Sequence, residues 1–454
     1  MHTSRGQSKL CLIAKSGDMK PSKYNYIIQD DNDSVFFNGI SETFFRVSNK
    51  NRDCCEAIID NPDANYKDFK NFIDLIKDYG FVLNDNIDEG DVIKSKYESL
   101  RRPDLYEIMI LPTYQCNLRC WYCTQEHDDQ WISEDSVKKI KKRIESVLKR
   151  DEINQLHIAW FGGEPLLCYD IIKDINKWAQ ELCGELNKSF VSSITTNATL
   201  LDKDKIESLR ILGVNHYQIT IDGDRETHDK IKVLGIRSAF DISVSNIAEI
   251  AKHTQCTLRF NYTKENLKPN NIIKDIKERI PENIRKNINF FIYKVWQEAS
   301  DKINHNEIIR LAHLARQIGI RPQFQTLGIC YADFDNFDCV FPNGKIGKCD
   351  NANPQSKHVN GIIESNGTLS WENEVNYSLY NIFDERINAH ECMNCKYLPV
   401  CWGPCPMRRE EMMEIHHKII CPYGSNKDNE IQKLILNQCL NLRNFIMTAQ
   451  FSRE

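Results

Sequence analysis

From Tyr24 onward, apolar positions fall first into short runs and then into helical spacing. Tyr24 to Ile28 and Val35 to Phe37 are rich in aromatic and β-branched residues, and Asp30, Asp31, Asn32 and Asp33 separate them, which predicts a hairpin. Phe69, Phe72, Ile73 and Ile76 recur at three- and four-residue spacing before Gly80, and Phe81 to Leu83 follows. This predicts a helix, a stop and a further strand. Together they outline a small winged-helix-like unit over residues 23–100, after a polar, patternless and presumptively flexible stretch over 1–22. From Tyr106 the pattern becomes strand, then amphipathic helix, repeatedly. The predicted strands are Glu107 to Leu111, Leu156 to Phe161, Ser192 to Thr196, Tyr217 to Asp222, Thr257 to Tyr262 and Asn289 to Val295, with helices such as Ser133 to Leu148 and Tyr169 to Leu186 between them. Such alternation makes an α/β fold with a parallel sheet of right-handed crossovers. The expectation is a partial (β/α)6 barrel over 101–324, with chemistry at the carboxyl ends of its strands. Past Gln325 the periodicity weakens and cysteines become dense, as in a region held by metal (325–425). A closing helix is expected from Asn429 to Phe445, within a last segment 426–454.

Composition narrows the function classes. A chain of 454 residues exceeds the usual span of about 100 to 200 residues per domain, so several packed units are expected. With 41% apolar and 27% charged residues the chain is neither disordered nor fibrous. No stretch approaches the roughly 18 apolar residues of a membrane span, and Met1 to Gly17 lacks a signal-peptide core, so a cytoplasmic protein with no membrane partner is expected. Lys plus Arg (59) against Asp plus Glu (64) gives a net charge of -5, which disfavours nucleic acid as a partner.

The outlier is 18 cysteines. Without an export signal they point to metal or cluster ligands rather than disulfides. Cys116, Cys120 and Cys123 stand together; so do Cys392, Cys395, Cys401 and Cys405, with Cys330, Cys349 and Cys421 around them. Cys11, Cys54, Cys55, Cys168, Cys183, Cys256, Cys339 and Cys439 are scattered, and an isolated cysteine usually serves as a small buried hydrophobe. Cys116-Asn-Leu-Arg-Cys120-Trp-Tyr-Cys123 follows a strand directly. Three thiolates suit three irons of a 4Fe-4S cube with the fourth iron open, whereas structural zinc wants four closed ligands. Gly162-Gly163-Glu164-Pro165 follows another strand: the glycines permit close backbone approach and the carboxylate suits an ammonium, although the same residues also make a plain turn.

The cysteine run, preceded by Pro112-Thr113-Tyr114-Gln115, resembles the signature of radical S-adenosylmethionine (radical SAM) enzymes. The resemblance implies an open iron that chelates S-adenosylmethionine and an electron that cleaves it to a 5'-deoxyadenosyl radical. Tyr122, Gly162, Gly163, Glu164, Thr195, Asn197, Thr220 and Asp222 would then contact the cofactor, Thr220 standing where a serine is usual. Thr195 to Asn197 and Gln218 to Gly223 also read as helix caps. The spacing from Cys330 through Cys349, Cys392-x2-Cys395-x5-Cys401-x3-Cys405 to Cys421 resembles the SPASM extension of these enzymes, which implies two auxiliary 4Fe-4S clusters and so three in all. By resemblance Cys392, Cys395, Cys401 and Cys421 close one, and Cys330, Cys349 and Cys405 hold the other. Either Cys339 is its fourth ligand or that iron is open; zinc is the alternative for the whole group.

The amino-terminal unit resembles the leader-binding winged helix (RiPP recognition element) of peptide-modifying maturases, which captures a leader by strand addition; the plain alternative is a buttress. The resemblance as a whole implies a radical SAM oxidoreductase that crosslinks a ribosomally made precursor peptide, with a flavodoxin- or ferredoxin-type reductant as its other partner. Thioether formation is the favoured bond, because a partly open auxiliary iron suits an attacking thiolate. Carbon-carbon crosslinking and anaerobic sulfatase maturation are the alternatives, and outside enzymes an iron-sulfur regulator, which the balanced charge of residues 54 to 80 disfavours. Asp350, directly after Cys349, is the candidate catalytic base, against the reading of Asp350 to Pro354 as a turn.

Overall fold

The structure, a computed structural model, describes residues 18–30, 33–125, 127–298, 304–371, 380–441 and 445–448. After the short β1 (Met19–Pro21), the predicted hairpin forms from β2 (Asn25–Asp30) and β3 (Asp33–Asn38), paired from Asn25↔Asn38 to Asp30↔Asp33. Asp31, Asn32 and Cys11 lie outside the described residues. A third strand, β4 (Thr43–Ser48), continues the meander. Helices α1 (Arg52–Asp60) and α2 (Pro62–Asp78) follow, α2 broken by a non-helical Phe69, then β5 (Val82–Asn84) and α3 (Glu89–Leu100). Alternation along the strands gives the sheet two apolar faces. Phe36, Phe45 and Val47 pack with Cys55, Ile59 and Ile76 of the helices, whereas Tyr26, Val35, Phe37 and Phe44 pack with carboxy-terminal residues Tyr397, Val400, Ile431 and Ile435.

The six predicted central strands form as β6 (Leu105–Ile110), β7 (Gln155–Trp160), β8 (Ser189–Thr196), β9 (Val214–Ile221), β10 (Gln255–Tyr262) and β11 (Ile288–Lys294). They pair in parallel and in sequence order. Between them run α4 (Glu134–Leu148), α5 (Tyr169–Glu185), α6 (Lys203–Ile211), α7 (Arg225–Ile231), α8 (Ala239–Ile250), α9 (Pro269–Arg279) and α10 (Glu282–Arg285). Ser133, Asp202, Asp224 and Ser238 cap α4, α6, α7 and α8 with side-chain oxygens, satisfying orphan amide donors. Ile108, Ile158, Ile194, Ile219, Leu258 and Phe290 face the helices in one apolar core with Ile140, Ile144, Ile172 and Val244. Period-two alternation therefore sends Glu107, His157, Ser193, Thr195, Gln218, Thr220, Arg259 and Tyr293 to the helix-free, inner face.

After α11 (His305–Gln317), β12 (Arg321–Phe324) adds a seventh parallel strand at the sheet edge. The sequence pattern missed it because Pro322 interrupts a short polar run, which only an edge position tolerates. β13 (Phe337–Val340) pairs in parallel with β6, and β14 (Ile346–Gly347), β15 (Val359–Ile363) and β16 (Leu369–Trp371) extend that edge antiparallel. Then come α12 (His390–Met393), α13 (Leu398–Cys401), α14 (Pro406–His416), α15 (Lys427–Asn441) and β17 (Phe445–Thr448), which pairs in parallel with β4. The expected closing helix forms as α15 to Asn441; residues 442–444 lie outside the described residues, and Phe445 belongs to β17.

Two compact units result: residues 1–100, 326–329 and 381–454 make one, and 101–325 with 330–380 make the other. The cysteine-rich region is divided between them because β13 to β16 complete the central sheet, whereas the segment after Asn381 packs on the amino-terminal sheet. Among the described residues no helix is long and apolar enough to cross a membrane.

Candidate active site

The loop after β6 is stitched before it carries any cofactor. Thr113 bridges Trp131, its hydroxyl donates to the Gln130 carbonyl (2.7 Å), and Ile132 N donates to the Pro112 carbonyl (2.8 Å). This holds Cys116 and Cys120 half-buried and Cys123 exposed, all three as free thiols. Leu118 N (3.4 Å) and Asn197 Nδ2 (3.7 Å) reach Cys116 Sγ. Burial pushes the Cys116 thiol up to about 11, so its thiolate needs a cation, as bound iron supplies. Among the described residues no group of three or more Cys, His, Asp or Glu side chains is close enough to hold a single metal ion. Three free thiols on one short loop are a donor set that fits an iron-sulfur cluster.

Gly162 and Gly163 pack against this loop. A Cβ on Gly162, whose φ is +112°, would meet the Thr113 carbonyl at 2.6 Å, and one on Gly163 the Gln115 carbonyl at 2.2 Å. The glycines thus permit the approach of Gly163 N to Thr113 O (3.0 Å) and of Glu164 N to Gln115 O (2.8 Å). Glu164 is fully buried, and its carboxylate accepts from Leu166 N (3.0 Å), the Thr196 hydroxyl (2.7 Å) and Asn197 N (2.9 Å). Burial raises its pKa to about 7 against those three donors. Asn197 Nδ2 donates to Asn117 Oδ1 (2.9 Å), so the strand end grips the cysteine loop.

On the other side of the loop, Tyr122 OH donates to Asp222 Oδ1 (2.6 Å). Lys232 Nζ donates to Asp222 Oδ2 (2.5 Å), Tyr122 OH (2.9 Å) and Cys120 Sγ (3.6 Å). Asp222 also holds the backbone: its N donates to His228 Nδ1 (3.1 Å), whose pKa burial lowers to about 4, so this ring is neutral. Thr195 accepts from Gln218 Nε2 (3.4 Å), and Thr220 lies on the same inner face.

Cys330, Cys339, Cys349 and Asp350 belong to this same unit. Cys339 is fully buried on β13, opposite Gly347, and the charge of Cys349 reaches it. Tyr331 OH donates to Asp350 Oδ1 and lies 4.0 Å from Cys349 Sγ. Burial raises the Asp350 pKa and the Arg259 charge opposes that rise. Cys405 belongs to the other unit, where burial takes Cys392 to about 12 and Cys401 to about 11, with the nearby charges of Cys395 and Cys421 adding to both rises and that of Cys401 to the first. Buried Arg409, bonded to the carbonyls of Trp402 (2.6 Å) and Pro404 (2.9 Å), opposes the rise. Of the scattered cysteines, Cys55, Cys168, Cys183, Cys256, Cys339 and Cys439 are buried and Cys54 is exposed.

Lys232, Arg259, Tyr331 and Arg409 escaped sequence reasoning. Each is an ordinary residue in its local sequence, and only tertiary packing brings it near a cysteine or carboxylate, with Lys232 and Arg409 buried and Arg259 and Tyr331 half-buried.

The profile of the Radical SAM superfamily matches residues 110–258. Fe-coproporphyrin III synthase of Methanosarcina barkeri is 29% identical over 173 residues, 37% of this chain and 40% of that protein, so the match spans about two fifths of such curated relatives. The radical SAM cyclopropyl synthase TigE of Paramaledivibacter caminithermalis is 23% identical over 462 residues, 87% of this chain and 90% of TigE. Among solved structures, anSMEcpe with bound AdoMet and Kp18Cys peptide superposes with a TM-score of 0.53 at 16% identity, covering 74% of this chain and 98% of that one. That likeness is one of fold. The cysteine loop, the strand ends that grip it and the matched profile together make residues 110–258 a radical SAM domain, and the chain is an enzyme.

Proposed function

We propose that the enzyme oxidatively closes a bond within a ribosomally made precursor peptide, using one 4Fe-4S cluster on Cys116, Cys120 and Cys123 and two auxiliary clusters of the SPASM kind. The observation that carries the reading is a second set of thiols, Cys392, Cys395, Cys401 and Cys421, all free and half-buried, in which the charges of Cys395 and Cys421 reach both Cys392 and Cys401. Similarity to a cyclopropyl synthase over nearly the whole chain supports it. When bound, the clusters and S-adenosylmethionine supply a carbon-centred radical that takes a hydrogen atom and an acceptor for the second electron. Tyr122, Asn197 and Asp222 position the cysteine loop, Glu164 braces the strand end that grips it, and Thr195 and Thr220, on the inner face of the sheet, would contact S-adenosylmethionine when it is bound. Asp350 takes the proton released as the bond closes, its basicity raised by burial and its orientation set by Tyr331. The amino-terminal unit binds the leader, and a flavodoxin- or ferredoxin-type protein delivers electrons.

Two bonds fit. A thioether needs an open auxiliary iron for the substrate thiolate. Cys339, buried and within reach of the Cys349 charge, suits a fourth ligand, which closes that iron and favours a carbon-carbon bond, as does the similarity to TigE. Anaerobic co-expression with candidate precursor peptides decides it by mass spectrometry. A peptide that has lost two hydrogens and still takes iodoacetamide at every cysteine supports carbon-carbon closure. Loss of one alkylation site supports the thioether, and an unmodified peptide overturns the proposal.

A further inference from the structure

The inner face of the sheet carries a half-buried guanidinium. Arg259 lies on β10, opposite Thr220 of β9 and Phe291 of β11. Its Cζ stands 4.0 Å from the Tyr293 ring centroid, and its Nε donates to Asn261 Oδ1 at 3.0 Å. These contacts fix the plane of the fork. Among the described residues Arg259 forms no ion pair within 4 Å. The nearest acidic influences are Tyr293, Tyr122 and Asp350, and burial, the largest effect, lowers its pKa. A half-buried cation without a bonded carboxylate is costlier than a solvated one unless a ligand completes it, and arginine presents paired donors that match a carboxylate. Tyr122 belongs to the cofactor loop and Asp350 follows Cys349, so the guanidinium looks into the space between the two cysteine groups of this unit, where the reacting carbon must lie.

We propose that Arg259 is a specificity residue that binds a carboxylate on the peptide core, the side chain of an Asp or Glu adjacent to the carbon that is attacked. The inference rests on the peptide-crosslinking reading and names its substrate class: an acidic core rather than a wholly neutral or basic one. Tyr293 packs against the fork and also hydrogen-bonds it, and Asn261 holds its Nε, so the remaining N–H donors are left for the ligand. The other carboxylate available to this space is the methionyl carboxylate of S-adenosylmethionine, and the test separates the two.

Holoenzyme with wild-type Arg259, Arg259→Lys and Arg259→Gln is compared in three measurements: the Kd for S-adenosylmethionine; saturation-transfer NMR with N-acetyl-aspartate methylamide against N-acetyl-asparagine methylamide; and KM for the precursor and for variants with single core acids neutralised. The expected result is an unchanged cofactor Kd in all three proteins and binding of the acidic probe to wild type only. KM should rise roughly tenfold or more in Arg259→Gln and partly in Arg259→Lys, which keeps the charge and loses the fork. Neutralising one particular core acid should reproduce that rise and add nothing in the variant. A weakened cofactor Kd in Arg259→Gln, or equal binding of both probes to wild type, overturns the proposal. If wild type processes no peptide, the crosslinking reading falls, while the two probes still decide whether Arg259 binds carboxylates.

Discussion

Glu164 shows how one residue links strand ends to the cysteine loop. Its three donors favour the carboxylate, yet full burial wins and takes the pKa from 4.5 to about 7. A raised pKa means that the folded state binds the proton more tightly than the unfolded one. The stability contribution is therefore complete below about 4.5 and is lost as pH rises through about 7. Thermal unfolding of the wild type should show this decline, and Glu164→Gln should flatten it. The variant should also cost about 1–3 kcal/mol, because an amide group would face the Asn197 N–H and leave a donor unsatisfied. An identical pH slope in Glu164→Gln would assign the slope to other groups. The glycine pair and the cysteine run were legible because a bound cluster and a close backbone approach demand fixed residue types at fixed spacing. Lys232 and Arg259 were not, since nothing local distinguishes a buried or half-buried cation from the many solvated ones.

Among elements, the apolar strands of the central sheet were legible because each buries one face against helices and carries its own period. β4 was overlooked although Thr43–Ser48 alternates, and β13 to β16 were hidden by turn-rich sequence that only their pairing with β6 organises. β17 could not be foreseen, because its partner β4 lies far away in the chain. Its pairing, Phe445↔Phe44 and Thr448↔Arg46, bears on leader binding: the β4 edge is already taken by the chain itself. A leader strand must displace β17, add at its outer edge or add at the β2 edge. Ile446→Pro with Met447→Pro removes the one of these adjacent amides that faces β4 and breaks the strand's backbone, at about 0.5–1.5 kcal/mol for the lost bond. β4 amides should then exchange faster, and precursor affinity should rise by roughly tenfold if the leader uses that edge. Unchanged affinity with faster exchange would place the leader on β2.

At the scale of the whole molecule, the two ends of the described chain belong to one unit, with the central sheet inserted between them. Sequence reading treated the amino-terminal sheet and the cysteine-rich region as separate domains, because contacts 370 residues apart leave no local trace. Tyr26 OH donates to the Lys396 carbonyl at 2.5 Å, its ring stacks on Tyr397 with centroids 5.2 Å apart, and Cys395 and Cys401 border the same apolar core. On the proposed assignment the cluster held by Cys392, Cys395, Cys401 and Cys421 is then a staple for the amino-terminal sheet, since binding free energy at such a site is also folding free energy. Cys392→Ala with Cys395→Ala should lower iron from about 12 to about 8 per chain. Hydrogen exchange should speed up in β2 and β3, more than 350 positions away in sequence for Tyr26 and Lys396, while β7 to β10 keep their protection and S-adenosylmethionine still binds. Precursor affinity should fall with the protection of β2 and β3, because the leader-binding surface loosens as a body. Full protection of those strands after loss of this iron would separate the cluster from the amino-terminal fold, and leave the shared apolar core alone to hold the unit together.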